Sequence, residues 1–64
     1  MHLTLRINCD THSFKDGNLH CEIARIMRSA ARNIELGMDG GKCKDYHGNE
    51  VGRFKIEEEE VENV

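Results

Sequence analysis

The sequence predicts an α+β fold of order β-α-β-β, with one amphipathic helix packed on a three-stranded, antiparallel sheet. Three observations lead there. Apolar and polar residues alternate over residues 2–9, the period lengthens to a helical one from Asn18, and two further strand-like runs meet about a Gly-Asn dipeptide.

The first run, "HLTLRINC", sets Leu3, Leu5, Ile7 and Cys9 on one side and His2, Thr4, Arg6 and Asn8 on the other, the pattern of a half-buried strand. "DTHSFKDGN" follows, rich in turn-forming residues, so it reads as a loop anchored by Phe14. From Asn18 the apolar residues Leu19, Ile23, Ile26, Met27, Ala30 and Ile34 gather on one third of a helical wheel. Arg25, Arg28 and Arg32 fall almost opposite, and Glu22 and Glu35 lie at spacings that pair with them. Asn18 suits the N-cap of this helix and Gly37 the residue that ends it.

"MDGGK" is a link. "KCKDYHGNEVGRFKIE" then reads as two strands about a two-residue turn at Gly48-Asn49. That register sets Cys43 opposite Phe54 and Gly41 opposite Ile56 on the core face, with Lys42, Lys44, Tyr46, Val51, Arg53 and Lys55 on the outer one. Placing the third strand in the middle makes every pairing antiparallel.

Sixty-four residues form one small domain, expected over residues 1–56, with an acidic tail at residues 57–64. Taking the five glutamates of that tail out of the net charge of −3 leaves +2 on residues 1–56. A chain this short buries only about 60 % of its unfolded surface, which favours a staple, a metal or a second subunit. Three cysteines are an odd number, and the opening residues form neither an apolar leader nor a membrane span. The expectation is a cytoplasmic protein with reduced thiols and no membrane contact.

Four residues suggest a metal centre: Cys9, His12, Cys43 and His47 supply thiolates and imidazoles in two short-spaced pairs. Against it, Cys9 and Cys43 both fall on apolar strand faces, where free cysteine packs as a small hydrophobe, so no metal or other cofactor is expected. Cys21 falls on the exposed arc of the first helical turn, four residues before Arg25, where a thiolate is favoured. No base or oxyanion site accompanies it, and "GMDGGK" lacks the terminal Lys-Ser/Thr of a phosphate loop. An enzyme is therefore not expected.

The basic residues point to binding. Arg25, Arg28 and Arg32 on the helix and Lys42, Lys44, Tyr46, Val51, Arg53 and Lys55 on the open sheet face are the candidate contact residues. They suit an acidic protein partner. Nucleic acid is the alternative, weakened by the negative overall charge and by a single aromatic available for stacking.

"EIARIMRSAARNIELG", a glycine-containing link and "KDYHGNEVGRFKIE" together resemble a group of small phage and prophage proteins, over about residues 3–57. The shared motifs are structural: helix face, cap and turn. What the resemblance implies is a viral accessory protein that engages a host factor or a host defence system from the host cytoplasm. The small core adds the expectation of a homo-oligomer.

Overall fold

A computed structural model describes residues 1–58 of the chain; of the acidic tail expected over residues 57–64, Glu57 belongs to the last strand and residues 59–64 lie outside the described residues. The order is strand, helix, strand, strand: β1 (His2–Ile7), α1 (Leu19–Glu35), β2 (Gly40–Lys44) and β3 (Glu50–Glu57), with a short 3-10 turn at His12–Phe14 between β1 and α1. The sheet runs β1-β3-β2, and both pairings are antiparallel. The expected fold class and central third strand are thus found.

The period-two run becomes β1, paired residue for residue with β3 from His2 opposite Glu57 to Ile7 opposite Gly52. Helix α1 begins directly after Asn18, although the Asn18 side chain makes no capping hydrogen bond. It ends as predicted. Gly37 takes φ +96°, its N–H donates to Ile34 O at 2.9 Å, and the Met38 N–H donates to Asn33 O at 3.1 Å. This paired closure needs a left-handed residue, the conformation glycine adopts without a Cβ penalty.

The core consists of Phe14, Ile26, Ala30, Cys43, Val51 and Phe54, with Leu5, Ile7, Cys9, Ile23 and Ile34 packed around it. Phe14 anchors its loop as expected. The helix lies over β2 and the 3-10 turn rather than over β1. Consequently Leu3, read as core, keeps 53 % of its surface exposed, and Leu19 and Met27 also remain open on the helix.

The β2–β3 register differs from the sequence expectation by two residues. Cys43 faces Gly52 and Gly41 faces Phe54. The cause is the turn. Instead of two residues at Gly48-Asn49 it takes five, Asp45 to Asn49, closed by Asp45 N–H to Asn49 O at 2.9 Å and Gly48 N–H to Asp45 O at 3.0 Å. Within it only Gly48 has a positive φ, whereas the two-residue turn best suited to Asn and Gly requires two such residues.

A second correction follows from the same place. Cys43 and Lys44 are consecutive but face Gly52 and Glu50, so Val51 is an extra residue bulged out of the ladder. The bulge re-aims its side chain into the core, where it is only 7 % exposed. Val51 is a packing residue and not part of an open binding face.

Candidate functional site

The candidate binding residues separate into two groups. Lys42, Lys44, Arg53 and Lys55 are exposed on β2 and β3, on the sheet face that α1 does not cover, with Arg6 of β1 beside Arg53. Much of this charge is answered locally. Glu50 lies 3.8 Å from Lys42 and 3.1 Å from Arg53, while Glu57 lies 3.1 Å from Lys55 and 3.7 Å from His2. Arg6 and Lys44 meet no carboxylate among the described residues. Exposed pairs of this kind add little stability, but they do lower the positive potential available to a polyanion.

The second group surrounds Tyr46. Sequence alternation placed this residue on a strand, but it sits in the Asp45–Asn49 turn with 75 % of its surface exposed. Its backbone is held from below. Glu22, in the first turn of α1 and buried, accepts the Tyr46 N–H on Oε2 at 2.6 Å. The same carboxylate takes a fork of two hydrogen bonds from Arg25, Nε to Oε1 and Nη2 to Oε2, both 3.0 Å, and Arg25 Nη2 also donates to Lys44 O at 3.1 Å. Arg25 was expected in the solvated arginine row. It instead joins the helix to the end of β2, and only Arg28 and Arg32 remain fully outward.

Asp45 holds the turn from within. Its buried carboxylate accepts from Thr11 Oγ1 at 2.7 Å, from the N–H groups of His47 and Asn49 at 3.0 and 2.8 Å, and from Asn49 Nδ2 at 3.0 Å. Burial pushes this carboxyl up, yet the hydrogen bonds from Thr11 and Asn49 outweigh it and hold it well below the ordinary range. For Glu22 the bond from Arg25 is the largest influence and lowers the carboxyl against the opposing effect of burial.

These directions fix a pH dependence. Both carboxyls are depressed in the folded state, so the unfolded chain binds more protons in mild acid and stability falls as pH drops below the ordinary carboxylate value of about 4. Denaturant melts should show full stability near neutrality and a progressive loss below about pH 4. Asp45→Asn leaves one oxygen for the donors that the carboxylate served with two, so this variant should be less stable at neutral pH and show a flatter acid limb. An acid limb identical to that of the parent would exclude Asp45 as its source.

Beside Tyr46 lies an open groove of about 520 Å³ whose lining includes His12, Cys21, Arg25, Arg28 and His47. The Tyr46 and His47 rings meet edge to face, with centroids 5.4 Å apart. The corner therefore presents the Tyr46 ring, the exposed Arg28 guanidinium and two imidazoles on a hydrogen-bonded mount. The chain matches no known protein family, no curated protein and no solved structure.

The four residues considered as metal ligands do not converge: among the described residues no three His, Cys, Asp or Glu side chains form a metal-holding group. Cys43 is buried, which pushes its thiol up, and Cys9 points its thiol back toward Ile7 O at 3.9 Å. Cys21 is exposed and lines the groove, but among the described residues it forms no hydrogen bond with His12 or His47. No described helix is long and apolar enough to cross a membrane.

Sequence reasoning missed Glu22, Asp45 and the two histidines as parts of one corner. The signals were present. Glu22 falls four residues before Ile26 on the buried side of the wheel, and Asp-x-x-x-Asn is a pattern in which a carboxylate can cap its own turn.

Proposed function

We propose that this chain is a non-enzymatic interaction protein that works as a homo-oligomer and binds a protein partner through the Tyr46 corner. One observation carries the reading: a tyrosine side chain left in solvent on a backbone that two buried carboxylates hold in place. An aromatic anchor contributes most to an interface when little conformational freedom remains to be lost on binding, and tyrosine and arginine are enriched among such anchors. Arg28 beside it favours an acidic epitope. We extend this reading to a viral accessory role, with a host factor such as a defence component as the target.

The test compares the full chain with Tyr46→Ala as immobilised baits in host extract. Because the ring is exposed, the substitution should change stability by no more than about 0.5 kcal/mol. It should weaken capture of the specific partner by about 2 kcal/mol, roughly thirtyfold. Capture that is equal for both baits would reject the corner as the site. Oligonucleotide titrations provide the contrast: tight binding whose logarithm falls linearly with log salt, unaffected by Tyr46→Ala, would replace this reading with nucleic-acid recognition on the Arg6 and Lys44 face.

A further inference from the structure

We infer that the free edge of β1 is the self-association surface, where a second copy of this chain adds its own β1 antiparallel, centred on Leu5, to make a six-stranded sheet. The inference rests on the reading of the protein as an oligomer and is independent of the Tyr46 corner.

The two sheet edges are unequal. β2 carries Lys42 and Lys44 within five residues and lies under α1. β1 has no lysine, no proline and no bulge in six consecutive pairs with β3, and α1 leaves its side of the sheet largely open. Edges that avoid unwanted pairing carry such interruptions, and against the two lysines of β2 the strand β1 carries one arginine, Arg6.

Which backbone groups are free follows from one hydrogen bond. Asn8 N–H donates to Val51 O at 2.7 Å, continuing the β1–β3 ladder. In an antiparallel ladder hydrogen-bonded pairs alternate, so the N–H and C=O groups of Arg6, Thr4 and His2 turn toward β3, while those of Ile7, Leu5 and Leu3 turn to the open edge. The same three residues carry the half-covered apolar side chains on the helix side of the sheet.

A two-fold pairing must match outward groups with outward groups, and of the centres that do so Thr4 and Leu5 keep five residues of each strand paired, whereas Leu3 and Arg6 keep three. Centring on Arg6 sets that residue against the partner's Arg6, and centring on Thr4 sets His2 against the partner's Arg6. Centring on Leu5 opposes no two basic side chains: Leu3 meets the partner's Ile7, Leu5 the partner's Leu5, and Arg6 the partner's Thr4. Every cross-strand pair on the helix side is then apolar, the kind of pair that stabilises a sheet. The axis stands perpendicular to the sheet, so both helices lie on the same side. At 100° per residue Met27 lies on the flank of α1 opposite Glu22 and Arg25, leaving an exposed methionine toward the side that β2 does not occupy.

Sedimentation equilibrium over a concentration series tests the assembly, and Leu3→Lys tests the edge. The unmodified chain should reach twice its 7.3 kDa mass. Leu3→Lys, an exposed position, should weaken association tenfold or more while leaving the far-ultraviolet circular dichroism unchanged. Leu5→Cys gives the register, because a hydrogen-bonded antiparallel pair has Cα atoms about 5.5 Å apart, within disulfide reach. Oxidation should yield a dimer whose linked peptide joins position 5 to position 5. A dimer insensitive to Leu3→Lys and lacking that link would overturn the β1 interface and leave the oligomer reading standing. A monomer at every concentration would overturn both.

Discussion

Gly52→Ala should destabilise the fold by about 3 kcal/mol, lowering the melting temperature by about 15 °C. Gly52 faces Ile7 in the β1–β3 ladder, and a Cβ built on it would collide with the Arg6 carbonyl oxygen and crowd the Ile7 Cα. Backbone on a strand of the same sheet cannot turn aside as a flexible side chain can. The strands would have to separate and release hydrogen bonds such as Asn8 N–H to Val51 O. Overpacking against rigid atoms costs about 3 kcal/mol, and a 64-residue domain has a total stability of roughly 3 to 10 kcal/mol. A thermal melt shifted by less than a few degrees would show that β1 does not approach β3 so closely.

Glu22→Ala should destabilise by about 2 kcal/mol, lowering the melting temperature by about 10 °C. The substitution removes the acceptor for the Tyr46 N–H and both bonds of the Arg25 fork. A fully buried pair would lose more. Here the Arg25 side chain is 41 % exposed and regains water once its partner is gone, so the loss falls below the usual range for broken buried ion pairs. Glu22→Gln keeps one acceptor for the Tyr46 amide and should lose about half as much. Denaturant midpoints at neutral pH measure both. Equal, negligible effects would mean that the helix does not carry the turn.

How far these features were legible depends on whether they are local. The alternation through β1, the helical period from Leu19 to Glu35 and the glycine that closes the helix each follow from residues near in sequence, and all three are found. The central position of β3 follows from preferring antiparallel pairing. What local pattern could not supply was the β2–β3 register. The Gly48-Asn49 dipeptide suggests a two-residue turn, but Asp45 satisfies donors as distant as Thr11 and so stabilises a longer one. That single difference moves Phe54 from Cys43 to Gly41 and turns Val51 inward through the bulge.

The candidate site shows the same division. Exposure of Lys42, Lys44, Arg53 and Lys55 is readable from alternation, whereas the pairing of Lys42 with Glu50 across the strands needs the true register. Tyr46 was chosen for its exposure, which is found, but the reason differs: it rides on a turn held by Glu22 and Asp45 rather than on a strand. Angle alone groups Arg25 with Arg28 and Arg32, and the buried Glu22 carboxylate together with the Lys44 carbonyl separates it from them.

The account depends most on the rigidity of the backbone beneath the Tyr46 ring. Relaxation of the Tyr46 amide ¹⁵N by NMR tests it directly: an order parameter near 0.85, equal to that of the strands, is the predicted result, and a value below about 0.6 would contradict it.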